Sequence, residues 1–189
     1  MAETPSTMLP LGTRLPSFSL SDVDGRVHTH RDFGEATAVL VAFLCPHCPY
    51  VKHIRSELAA FAADYAARGL AVIGINSNDA TAYPEDDAEG MRREAARAGY
   101  AFPYLIDDTQ DVARAFQAAC TPDFFLFDRD RRLVYRGQFD ASRPGKPIPV
   151  TGQDVRAAAD ATLAGDVIPD ERQLPSVGCN IKWKRGLSR

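Results

Sequence analysis

The four residues Cys45-Pro46-His47-Cys48 are the part of this chain best equipped for chemistry. A thiolate attacks a disulfide sulfur to form a mixed disulfide, and a second thiol nearby can attack that bond and release the product. Cys48 follows Cys45 by one helical turn, near enough to close a disulfide without moving the backbone far. If a helix opens at the motif, the Cys45 thiol faces unpaired N–H groups and the positive end of the helix dipole, which favour thiolate over thiol. Pro46 suits the first helical position, where a missing N–H costs no partner. His47, when protonated, adds positive charge beside the thiolate. On this chemistry Cys45 is the nucleophile and Cys48 the resolving thiol.

Two more cysteines lie far along the chain. Cys120 precedes Thr121-Pro122 and an aromatic run, and reads as a small buried residue beside the site, with a redox role as the alternative. Cys179 sits in a C-terminal segment with Trp183, the single tryptophan. A segment carrying so large an apolar residue is expected to dock, bringing Cys179 towards Cys45 or Cys120 as a third redox thiol or burying it as packing. A zinc site would need further ligands beyond Cys45 and Cys48. No histidine follows His53 and there is no second Cys-x-x-Cys, so redox chemistry is expected, with no metal and no cofactor.

The hydrophobic pattern shows what must hold these thiols. Ala36 to Leu44 is a short, bounded apolar run, the signature of a fully buried strand. Val51, Ile54, Leu58, Phe61 and Tyr65 then recur at helical spacing, and Arg68-Gly69 ends that helix. Leu70 to Ile75 is a second buried strand, so strand, helix and strand form a parallel unit. Asn76 to Asp87 is a polar loop, Ala88 to Gly99 a charged helix, and Phe102 to Ile106 a short strand. Asp108 or Thr109 can cap a helix running to Ala119. Phe124 to Asp128 and Leu133 to Phe139 form a hairpin. Thr151 and Asp154 have capping-box spacing for a helix to Leu163, closed by Gly165. Leu15 to Val27 reads as an N-terminal hairpin. Residues 1–10 are expected as a flexible tail, 11–165 as one domain, and 166–189 as an irregular tail packed on it.

The 189 residues carry 22 basic and 25 acidic side chains, a formal charge of −3. So balanced a surface argues against a general nucleic-acid or membrane-surface binder. No apolar run nears the ~20 residues of a membrane span. Met1 to Pro10 lacks the basic-then-apolar pattern of a leader, so a cytoplasmic protein is expected. In that compartment a close cysteine pair points to redox work rather than to a structural disulfide. Its partners would be a protein or small-molecule disulfide or thiol and an external thiol reductant. Nothing in the sequence sets an oligomeric state.

The element order, with Cys-Pro-His-Cys after a buried strand and Thr-Pro before an antiparallel hairpin, resembles the thioredoxin-like superfamily. The nearest branch is that of the alkyl hydroperoxide reductase and thiol-specific antioxidant domain. Leu15-Pro16-Ser17-Phe18-Ser19-Leu20 with Asp24-Gly25 is similar to the opening of that domain. Cys45 to Val51, Thr121-Pro122-Asp123-Phe124 and Gly178 to Trp183 together resemble a group of bacterial thioredoxin-family proteins. The resemblance covers Leu11 to Leu163. It implies an α/β thioredoxin-like fold with a central mixed sheet flanked by helices, thiol–disulfide oxidoreductase activity, and a cis peptide at Thr121-Pro122 beside the disulfide. The chain departs from thioredoxins on the strand before the motif, where Ala42 stands in place of a buried acid and Leu44 in place of a tryptophan. Cys48 is thereby left without an assigned proton acceptor. Two alternatives stand beside the oxidoreductase. One is a thiol-dependent peroxidase using Cys48 or Cys45. Peroxiredoxins carry a threonine three residues before the reactive cysteine and a proline after it, and here Cys48-Pro49 fits while Cys45 occupies the threonine position. Arg136 is the candidate peroxide-orienting arginine. The other is a non-enzymatic metal- or partner-binding module.

Overall fold

A computed structural model describes residues 3–186. Its first elements are strands β1 (Glu3–Pro5), β2 (Ser19–Asp22), β3 (Val27–Thr29) and β4 (Ala38–Phe43), followed by helix α1 (Pro49–Ala66). Then come β5 (Leu70–Asn76), α2 (Ala88–Ala98), β6 (Tyr104–Ile106) and the short helix α3 (Asp111–Ala115). The chain continues with β7 (Cys120–Thr121), β8 (Asp123–Phe127), β9 (Leu133–Gly137), α4 (Gln153–Ala164) and β10 (Val177–Asn180).

Every residue of β4 is buried, as the apolar run from Ala36 to Leu44 requires. It lies inside a seven-stranded sheet of order β3-β2-β6-β5-β4-β8-β9. The β4–β5 and β5–β6 pairs are parallel and the β4–β8 and β8–β9 pairs antiparallel. Alternation along β4 sends Leu40 and Ala42 to one face and Val39, Val41 and Phe43 to the other, so two hydrophobic cores form, one on each side. On the first face α1 buries Val51, Ile54, Leu58, Phe61 and Tyr65, the stripe expected from spacing. Burying each such side chain contributes about 1.5–3 kcal/mol, which anchors the helix whose start carries the motif. Among the described residues no helix is long and apolar enough to cross a membrane.

Both ends of the chain depart from expectation. Of residues 1–10, expected as a loose tail, the described residues 3–10 are not one, since β1 pairs antiparallel with β10 and Leu9 is buried. Nor is the C-terminal segment irregular throughout, because β10 is the middle strand of a second sheet, β1-β10-β7. A middle strand has both rows of backbone groups satisfied, and each neighbour supplies one row. Three-residue strands such as Glu3-Thr4-Pro5 are too short to show alternation. The indole of Trp183 stays partly exposed beneath the Arg114 guanidinium, so β10 rather than the tryptophan docks the tail. In the same segment Lys182 bonds to Asn180 and Lys184 to Asp108.

Two helices are also shorter or capped differently than expected. Only Asp111–Ala115 is helical in the stretch from Asp108 to Ala119. Gln117 takes a left-handed conformation (φ 52°) and turns the chain into β7. At α4 the Thr151–Asp154 box does not form. Gly152 is the N-cap, and Asp140 instead accepts the Thr151 and Gly152 amides at 2.7 Å each.

Candidate active site

Strand β4 delivers Cys45 to its C-terminal end, where Leu44 N–H still donates to Ile75 at 2.8 Å. Pro46 and His47 form a turn, and Cys48 is the N-cap of α1 with Pro49 at the first helical position. Pro46 therefore does not open the helix, contrary to the sequence expectation. The reason is local: a residue before proline is driven out of the helical region, and Cys48 is extended (φ −67°, ψ 122°). The thiol at the helix N-terminus is consequently that of Cys48.

The opposite wall is the Thr121–Pro122 segment, whose peptide bond is cis. Thr121 Oγ1 lies 3.2 Å from Cys45 Sγ, and the Thr121 carbonyl accepts from Cys48 Sγ at 3.1 Å. Cys179 pairs in register with Thr121 across β10 and β7. Cross-strand partners share a face, and this puts Cys179 Sγ 3.0 Å from Cys48 Sγ. Cys120, one residue out of phase, points to the Pro122 carbonyl at 3.6 Å instead of to another thiol. All four cysteines are reduced and buried. Cys45, Cys48, Thr121, Pro122 and Cys179 thus converge, and Cys120 does not join them.

A residue the sequence did not single out completes the site. Asp86 comes from a 3-10 turn, Pro84–Asp86, in the loop after β5. Its buried carboxylate accepts the His47 amide at 3.1 Å, His47 Nδ1 at 2.5 Å and Asn78 Nδ2 at 2.8 Å. Tyr83 stacks on the His47 ring, and His47 Nε2 has no partner. Cys45 Sγ, a His47 ring nitrogen and an Asp86 oxygen all lie within 4.8 Å of one another. Thiol, imidazole and carboxylate in that order form a nucleophile, a base and a group that orients the base. The one sequence signal for Asp86 is its position in a long polar loop at the C-terminal end of the strand parallel to β4, where α/β sheets gather their sites.

The thiols do not share a common acidity. Burial pushes Cys45 up, its hydrogen bond to Cys48 adds to that, and the Asp86 charge adds further. The helix-dipole expectation of a lowered Cys45 is therefore not met. Cys48 is lowered, first by the hydrogen bond from Cys179 and then by that from Cys45. These two sulfur donors outweigh burial, which alone would raise it. Cys179 is pushed up because it donates to Cys48, and burial raises Cys120. By donor type, Cys45, His47 and Asp86 could hold a metal ion. Three N–H donors already occupy the carboxylate, and a closed structural zinc site needs four ligands.

The sequence matches the Redoxin family model over residues 10–153. The chain belongs to the Redoxin family. Its fold is thioredoxin-like, a central mixed sheet flanked by helices. A crystal structure of a hypothetical protein from Sinorhizobium meliloti 1021 is 54% identical, with a TM-score of 0.95 over 97% of this chain and 100% of that one. The thiol-disulfide oxidoreductase ResA of Geobacillus thermodenitrificans is 27% identical over 133 residues, covering 69% of this chain and 70% of that protein. The 1-Cys peroxiredoxin B of Oryza sativa subsp. indica is 22% identical over 148 residues, and the chain spans 60% of its length.

Arg136, the candidate peroxide-orienting residue, is on the wrong side for that task. It pairs with Phe125 across β8 and β9, and Phe125 packs with Phe43 and Phe116. That core lies on the face of the sheet opposite Cys45 and Cys48.

Proposed function

We propose that this Redoxin-family protein is a thiol–disulfide oxidoreductase that cycles a Cys45–Cys48 disulfide. Family membership and the relatives support thiol redox activity. One observation carries the finer reading: both motif sulfurs rest on one residue, Thr121, at 3.2 and 3.1 Å. Thr121 thus gathers the two sulfurs of a Cys-x-x-Cys pair, the spacing from which a disulfide can close.

His47 takes the Cys45 proton, and Asp86 holds the ring and stabilises the imidazolium. The Cys45 thiolate attacks a substrate disulfide, one substrate sulfur leaves as a thiolate and is protonated, and a mixed disulfide remains. Cys48, whose thiolate is favoured by its sulfur neighbours, attacks Cys45 Sγ and expels the second substrate sulfur. The substrate has gained two electrons and the cysteine pair has lost them. An external thiol reductant returns the pair to the dithiol. Both motif cysteines are closed to solvent, so substrate entry requires local opening around His47 and Tyr83.

A Cys45→Ser variant is expected to lose reduction of insulin-type disulfides; full activity in that variant would overturn the reading. A peroxidase reading centres on Cys48, which caps α1 ahead of Pro49. Peroxide consumption with a thiol reductant tests it, and the position of Arg136 on the far face favours disulfide exchange.

A further inference from the structure

Cys48 has two thiol neighbours, and the motif accounts for only one. The other, Cys179, lies 3.0 Å away sulfur to sulfur. A disulfide bond is about 2.05 Å long, so closure needs an approach of only ~1 Å. Cys179 is not on a loose end. It is paired with Glu3 on one side and Thr121 on the other, and is buried. The strand that carries it is pressed against the Thr121–Pro122 segment. A Cβ on Gly178 would stand 2.1 Å from the Thr121 carbonyl oxygen, so only glycine permits this approach. The register then fixes Cys179 on the face of Thr121, over Cys48.

We infer that Cys179 is a third redox thiol, which exchanges the Cys45–Cys48 disulfide for a Cys48–Cys179 disulfide and returns Cys45 as a free nucleophile. The inference rests on the proposed Cys45–Cys48 cycle. In the step, the Cys179 thiolate attacks Cys48 Sγ, the Cys48–Cys179 bond forms, and the Cys45–Cys48 bond breaks. Cys45 leaves as a thiolate and takes up a proton, which balances the one Cys179 loses on becoming a thiolate. No electrons enter or leave, so the protein stays oxidised by the two electrons lost to the substrate disulfide. Its state nevertheless changes. With Cys48 engaged, a mixed disulfide on Cys45 cannot be resolved from within and persists until a thiol of the substrate itself attacks it. Attack by a second cysteine of the same substrate leaves a rearranged substrate disulfide and regenerates Cys45. The substrate class for this form is a protein with several cysteines, and the reaction is disulfide isomerisation.

Peptide mapping tests this directly. Tryptic cleavage leaves Cys45 and Cys48 together on residues 32–52, Cys179 on residues 173–182 and Cys120 on residues 115–129. Wild type, Cys45→Ser, Cys45→Ala and Cys179→Ser are oxidised with hydroxyethyl disulfide, quenched in acid, alkylated with N-ethylmaleimide and mapped by mass spectrometry. Folding of each is checked by circular dichroism. The expected result is a cross-link between peptides 32–52 and 173–182 in wild type and in whichever Cys45 variant folds, with loss of two alkylatable thiols. Cys179→Ser should show only the bond internal to 32–52. If wild type and the Cys45 variants keep Cys179 fully alkylated, or Cys48 joins Cys120 instead, the inference is overturned while the Cys45–Cys48 cycle stands. If Cys179→Ser forms no bond within 32–52, the cycle itself fails.

Discussion

Asp123→Asn removes a stability loss that the wild-type protein suffers as pH rises. Asp123 follows Pro122 on β8, opposite Phe43 in the sheet, and is fully buried. Its Oδ2 is 3.5 Å from the Ala119 amide, and Oδ1 has no partner. Burial pushes its carboxyl up from 3.8 to about 7, against the opposing effect of Ser6 and the nearby amides. Below pH 3.8 the acid is protonated in both folded and unfolded chains and costs nothing. As pH rises towards 7 the unfolded chain ionises while the folded one stays neutral, so the unfolded state holds fewer protons and stability falls. Each pH unit of that window is worth about 1.4 kcal/mol, and across roughly three units the loss reaches about 4 kcal/mol. Asparagine has no such titration. Urea unfolding of both proteins at about pH 4, 6 and 8 measures the difference, in which all other groups cancel. The variant should gain on wild type by up to about 4 kcal/mol between the acid and alkaline ends. A difference that stays flat with pH would show that Asp123 is not held neutral.

Three further outcomes follow from the site. Asp86→Asn should slow disulfide reduction by at least about tenfold and reshape its pH–rate profile, because His47 loses the carboxylate at Nδ1; an unchanged profile would remove Asp86 from the proton path. Gly178→Ala should cost about 2 kcal/mol or more, seen as a fall in Tm of about 4–8 °C, since its methyl group meets the Thr121 backbone; an unchanged Tm would contradict that packing. Gln110→Ala should cost about 2–4 kcal/mol in urea unfolding. The buried amide bridges Ser77, Lys182 and Lys184 through three hydrogen bonds, and faster hydrogen exchange at the Lys184 amide should accompany the loss.

Local pattern was sufficient for several parts of the fold. The Val- and Leu-rich run to Leu44 is a buried strand because nothing else can bury both of its faces. The spacing from Val51 to Tyr65 admits only a one-sided helix. Between them the cysteines had to lie at a strand-to-helix junction. Helix starts were less legible: two prolines flank the motif, and Pro49 sets the start because it forbids the helical region to Cys48. The Asp108 and Thr151 caps failed for other local reasons: left-handed Gln110 is the N-cap of α3, and a distant acceptor, Asp140, takes the amides ahead of α4.

The chemistry of the site divides the same way. Cys45-Pro46-His47-Cys48 could be named from residue type and placement beside predicted elements, and Thr121-Pro122 from the resemblance to the thioredoxin-like superfamily. Only the tertiary structure brought Asp86 to His47 and Cys179 to Cys48, over separations of 39 and 131 residues. Those contacts depend on a loop turn and on the register of a short strand held between two others, and neither leaves a periodic trace in the chain. Burial of Cys45, with the Asp86 charge adding to it, and the sulfur donors on Cys48 reversed the acidity expected at the motif, effects set by tertiary surroundings whatever the distance in sequence.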